Sequence, residues 1–126
     1  MSNYFTIEIA LDSSSHKYEE NKHFLLTRLP TIGCEDWYSF HDIQRIHRKI
    51  IYKELFCIRL CNVDTVIQLI SLVKRVTGIY IECIYTNNQI VYASNHYTKL
   101  MHKDKVKELK QRTKNTDEKR IITTLN

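Results

Sequence analysis

A chain of 126 residues suits one globular domain, and 43% hydrophobic against 26% charged residues, with two Gly and one Pro, excludes disordered and fibrous classes. The net charge of +5 is unevenly placed: residues 1–95 hold ten bases and ten acids, whereas residues 96–126 hold nine bases and four acids. A neutral body with a basic arm points to phosphate or an acidic neighbour; its plainer reading is a solvated terminal helix. The densest apolar stretch, residues 63–76, is broken by Asp64, Gln68, Ser71, Lys74 and Arg75, so no membrane span is expected. The opening residues lack the basic and apolar regions of a secretion signal, and the four Cys are irregularly spaced. Reduced thiols in the nucleus or cytoplasm are expected.

In chain order, Tyr4 to Leu11 alternates at period two and predicts a strand. Asp12 and three serines supply a turn, and Tyr18, Asn21, Leu25 and Leu29 then predict a helix as far as Pro30. Trp37, Phe40, Ile43, Ile46 and Ile50 step by three or four, favouring a second helix capped by Asp36, although strand and helix stay open over residues 37–53. Ile50 to Leu55 reads as a hairpin or a helix-to-strand junction, and Phe56 to Cys61 as a strand. An apolar helix follows from Val63, capped by Asn62 or Asp64 and ending at Gly78. Ile79 to Tyr85 and Gln89 to Ser94 flank Thr86-Asn87-Asn88 and predict an antiparallel hairpin, with Tyr80, Glu82 and Ile84 on one face. From His96 to Lys114 a basic helix is predicted in which Lys99, Lys103, Lys107, Lys110 and Lys114 form one stripe beside an apolar stripe of His102, Val106 and Leu109. Residues 1–114 thus read as one domain and 115–126 as a mobile tail.

Catalytic and metal chemistries find little support. On a strand, Cys57 and Cys61 lie about 13 Å apart and cannot share one zinc. Cys34, His41 and His47 converge only in an irregular fold, and Ser13 to Ser15 lack a nucleophile-elbow setting. The two glycines are too few for a phosphate-cradling loop, so neither metal nor cofactor is expected. Tyr80, Tyr85, Tyr92 and Tyr97 cluster near the basic helix; beside lysines they would stack on unpaired RNA bases, and they would equally serve to cover a half-buried sheet.

The order of elements predicts an α+β fold, a ferredoxin-like or RRM-like sandwich with an antiparallel sheet and a basic C-terminal helix. Asn3-Tyr4-Phe5-Thr6-Ile7-Glu8-Ile9, Leu55-Phe56-Cys57-Ile58-Arg59-Leu60 and Asn62-Val63-Asp64 before an apolar helix resemble the small protein subunits of eukaryotic ribonuclease P and ribonuclease MRP. The resemblance covers roughly residues 3–93. It implies a non-catalytic subunit, a paralogous protein partner in a heterodimer, and assembly in the nucleus or nucleolus on a structured, catalytic RNA that processes precursor tRNA or rRNA. Arg59 is the residue carried over as an RNA or partner contact. The chain departs from the family in having Thr86-Asn87-Asn88-Gln89 where a Ser-Gly-Thr-like turn stands, and in a long stretch before Phe56. The expected RNA-binding set is Arg59, Lys99, Lys103, Lys107, Lys110, Lys114, Tyr80 and Tyr92. The rival reading is a protein-interaction module, a viral or assembly component, that adds the apolar hairpin edge to a partner. A small hydrolase ranks third.

Overall fold

The computed structural model describes residues 4–87 and 89–126, with the side chain of Ile46 left aside; Asn3 of the opening motif and Asn88 of the expected turn lie outside the described residues. Strand β1 (Phe5–Asp12) leads to helix α1 (Tyr18–Arg28) and a short 3-10 turn at Pro30–Ile32. Strands β2 (Trp37–Ile46) and β3 (Lys49–Leu60) form a hairpin, followed by α2 (Val63–Val73), β4 (Ile79–Thr86) and β5 (Gln89–Ala93). Three helices close the chain: α3 (Asn95–Thr98), α4 (Lys103–Gln111) and α5 (Thr116–Leu125). The sheet order is β2-β3-β1-β4-β5, and every neighbouring pair is antiparallel. This is the α+β ferredoxin-like arrangement: β3 lies between β1 and β2, β1 lies between β3 and β4, and β5 extends the sheet.

Alternation in β1 places Phe5, Ile7, Ile9 and Leu11 on one face, where they meet Phe56, Ile58 and Leu60 of β3. Leu25 and Leu29 from the α1 segment, and Val66, Leu69, Ile70 and Val73 of α2, cover that face. Asn62 caps α2 by accepting from the Thr65 amide at 2.9 Å. Beyond α2, Gly78 sits at φ 91°, and a Cβ there would stand 2.7 Å from Asn21 Nδ2, which donates to the Thr77 carbonyl.

Three expectations are corrected. Residues 37–46 are an edge strand, not a helix: Trp37, Phe40 and Ile43 are exposed, so their three-residue step reflects no buried helical face, and Asp36 caps nothing but accepts from the Arg59 amide through its carbonyl. The single basic helix is interrupted after Thr98 and resumes at Lys103, with the Asp104 amide donating to His102 Nδ1 at 3.3 Å. His102 therefore caps a helix instead of joining an apolar stripe. The expected mobile tail is the regular helix α5, with Ile121 fully buried and Ile122 and Leu125 packed on the core.

Candidate nucleic-acid interface

The sheet face away from α1 and α2 carries Thr6, Glu8 and Ala10 of β1, Lys53, Leu55, Cys57 and Arg59 of β3, and Tyr38 and Phe40 of β2, as the register requires. After β5 the chain turns onto this face. The Ser94 amide donates to the Glu82 carbonyl at 2.9 Å, Ser94 Oγ caps α3, and His96 Nε2 lies 2.9 Å from Gln44 Oε1. Tyr97 hydrogen-bonds the Cys83 thiol, and burial pushes both groups well above their usual range. Ala10, Leu55 and Cys57 are buried although they lie on the outer face.

At one end of this face, Arg59 borders a cleft of about 400 Å3 with Tyr4, Thr6, Tyr38, Tyr85 and Thr86. The Arg59 guanidinium lies 4.2 Å from the centroid of the Tyr4 ring and 3.8 Å from Asp36 Oδ2. Tyr38, 63% exposed, stacks on Phe40 with centroids 6.4 Å apart at 22°. The hydrogen bond with Cys57 raises the Tyr38 phenol, and burial raises that of Tyr85. Both rings are therefore neutral at physiological pH and present π-faces without a phenolate to repel phosphate.

The lysines do not make one stripe. Lys103, Lys107 and Lys110 are exposed on α4 within an arc of about 60°, whereas Lys99 falls in the turn after α3 and Lys114 beyond α4. Helix α4 ends where the backbone turns extended at Arg112, whose guanidinium donates to the Ile90 carbonyl at 2.8 Å, to Gln89 Oε1 at 3.2 Å and to Glu118. Half-buried Val106 and Leu109 lie on α4, and Leu109 faces a groove of about 900 Å3 lined by Ile90, Tyr97, Leu100, Met101 and Arg112. Thr86, on the rim of the Arg59 cleft, pairs with Gln89, on the rim of this groove. Lys105, Glu108 and Arg112 line this groove, whereas Lys103, Lys107 and Lys110 lie on the opposite face of the α4 segment and border neither the groove nor the Arg59 cleft.

Tyr80 and Tyr92 are brought together, but around a third cleft at the other end of the sheet. Tyr80 lies opposite Ala10 and Arg59 opposite Thr6, positions about 13 Å apart along β1. The expected facial set of Tyr80, Glu82 and Ile84 is also corrected. Glu8 pairs with Cys83 and Ile9 with Ile81, so Glu82 is the extra residue of a bulge, and Ile84 is fully buried in the core. The eight expected RNA-binding residues therefore divide among three places, and the tyrosines beside Arg59 are Tyr4, Tyr38 and Tyr85. Tyr38 was hidden by the helical reading of β2; as a strand residue opposite Cys57 it falls on the Arg59 face.

Among the described residues no helix is long and apolar enough to cross a membrane, and no group of three or more His, Cys, Asp or Glu could hold a metal ion. No family model and no curated protein matches the chain. Among solved structures, the B. subtilis GlnK–ATP complex is similar at 23% identity over 68% of this chain and 84% of that one, with a TM-score of 0.41, a likeness that carries no functional meaning.

Proposed function

We propose that this chain is a non-catalytic protein subunit of an RNA-containing assembly of the ribonuclease P and MRP type, in which the RNA performs the chemistry and this chain holds it. Unpaired bases stack in the Arg59 cleft on Tyr38 and Tyr85, and Lys103, Lys107 and Lys110, on the outer face of α4, neutralise phosphates farther along the same RNA. The observation that supports this reading best is the Arg59 cleft itself, where one guanidinium stands among Tyr4, Tyr38 and Tyr85.

Fluorescence anisotropy with a single-stranded RNA, repeated over a range of salt, tests it. Replacing the three α4 lysines by Ala is expected to lower the slope of log affinity against log salt by about 2. Tyr38→Ala is expected to weaken binding by about 1–3 kcal/mol with little change of slope. Equal slopes together with an indifferent Tyr38→Ala variant would overturn the proposal.

A protein partner is the second element, supported by the edge hairpin, where Trp37, Tyr38, Phe40, Ile43, Ile50 and Tyr52 are all exposed. Nuclease treatment of the native complex separates the two readings. An assembly that persists without nucleotide, from a chain that binds no RNA, would leave protein docking as the function.

A further inference from the structure

At the end of the sheet opposite Arg59, a cleft of about 580 Å3 opens between the start of β4, the end of β1, the β2–β3 arm and the beginning of α3. That volume suits a small organic ligand. Its apolar walls include Ala10, Ile51, Ile81 and the rings of Tyr80 and Tyr92. Two groups of opposite charge, Lys53 and Glu82, line it, and each residue is only 5% exposed. The bulge sets Glu82 there, since an extra residue in one strand re-aims the side chain it carries.

Among the described residues, neither the Glu82 carboxylate nor the Lys53 ammonium makes a hydrogen bond or an ion pair, and the two do not pair with each other. Glu82 Oε2 is buried without any donor. Burial of a carboxylate oxygen without a donor is strongly unfavourable, so Glu82 calls for a ligand that supplies one. Lys53 stands opposite Asp12 of β1 and Asp42 of β2 without an ion pair to either, and several neighbouring polar groups are already engaged. Asp12 Oδ1 accepts from the Ser14 amide at 2.9 Å and from Ser14 Oγ at 2.6 Å, His96 is held by Gln44, and Lys74 donates to the Thr124 carbonyl at 2.9 Å. A carboxylate lacking a donor and an ammonium without an ion pair, both lining one apolar-walled cleft, complement a molecule that bears both charges.

We propose that this cleft binds a free α-amino acid, its ammonium group on Glu82, its carboxylate on Lys53 and its side chain against Tyr80, Tyr92 and Ile81. The site is separate from the Arg59 cleft, so its occupancy is measured without RNA.

The test titrates the full chain with each proteinogenic amino acid at millimolar concentration, following backbone amide shifts by NMR. At least one is expected to shift the amides around residues 53, 82 and 96. Glu82→Gln and Lys53→Met are each expected to weaken that binding by about tenfold or more. In the unaltered chain, the matching amine without the carboxylate and the matching acid without the ammonium are expected to bind more weakly by a similar factor, a comparison that stands even where a variant fails to fold. The proposal is overturned if no amino acid binds, if either analogue binds as well as the amino acid, or if folded Glu82→Gln and Lys53→Met variants bind undiminished.

Discussion

Glu54 is a carboxylate kept inside the molecule by its donors. It is 3% exposed, and Tyr18 Oη, Ser39 Oγ at 2.7 Å and Lys22 Nζ at 3.1 Å surround it, tying α1 to the β2–β3 hairpin. Burial alone would raise its carboxyl, but the bonds from Tyr18, Ser39 and Lys22 outweigh burial and hold it below the ordinary value. A carboxyl depressed in the folded state stabilises the fold above its unfolded pKa, about 4.3, and that stabilisation is lost as pH falls through the lower folded value. Denaturant unfolding followed over pH should therefore show a loss of stability below about pH 4. Glu54→Gln should flatten this limb and cost about 2 kcal/mol at neutral pH, and an unchanged acid limb would count against the network. At the hairpin tip, His47 and Arg48 occupy φ 49° and 66°, a conformation that suits Asn-Gly and disfavours both residues present. Arg48→Gly should raise stability by about 0.5–1 kcal/mol, read as a higher denaturation midpoint at constant m-value. The missing Asn or Gly also explains why this turn escapes a reading of the sequence.

Helix α5 carries two signals visible in its sequence and one that is not. Asn115 and Glu118 form a capping box, with the Glu118 amide donating to Asn115 Oδ1 at 2.9 Å and the Asn115 amide to Glu118 Oε1 at 3.2 Å. Ile121, Ile122 and Leu125 then follow at helical spacing. The hidden part is tertiary: Arg112 joins Glu118 to β5, and Arg120 meets Asp64 of α2 at 2.9 Å. Since Ile121 is fully buried beneath this helix, Ile121→Ala should cost about 3 kcal/mol in denaturant unfolding and speed hydrogen exchange in α5 before the sheet strands. Undiminished stability would mean that α5 is not part of the folding unit. Elsewhere, β1, α1 and α2 were legible because one buried face repeats at a single period in each, and the β4–β5 hairpin because two β-prone runs flank turn residues, although the bulge at Glu82 broke its facial alternation. Strand β2 was not, since it lies at an edge and bears apolar residues on both faces, erasing the alternation that marks a half-buried strand. The site was legible only in part. Arg59 and the α4 lysines stand out by residue type, whereas Tyr4, Tyr38 and Tyr85 meet only through the strand register, and the regular lysine spacing is indifferent to where the backbone stops being helical.

Across the whole molecule, apolar exposure is concentrated where the sheet is least covered. Trp37, Tyr38, Phe40, Ile43, Ile50 and Tyr52 all belong to one hairpin, and Ile43 is 65% exposed. Strand β2 is also the outer edge of the sheet, so its backbone groups on that side are unpaired by any strand. A long apolar edge of this kind pairs with another chain unless charges or distortion prevent it, and the basic residues Arg45, Arg48 and Lys49 lie only toward its tip. The isolated chain should therefore associate with itself at high protein concentration. Replacing Ile43 and Ile50 by Lys should lower the weight-average mass seen by sedimentation velocity while changing stability by less than about 0.5 kcal/mol for each site, because both side chains already face solvent. The same double variant should leave the salt slope for RNA binding intact, as neither residue borders the Arg59 cleft or the α4 groove. Association that persists unchanged in this variant would place the contact elsewhere on the surface and remove the hairpin from consideration as a docking edge.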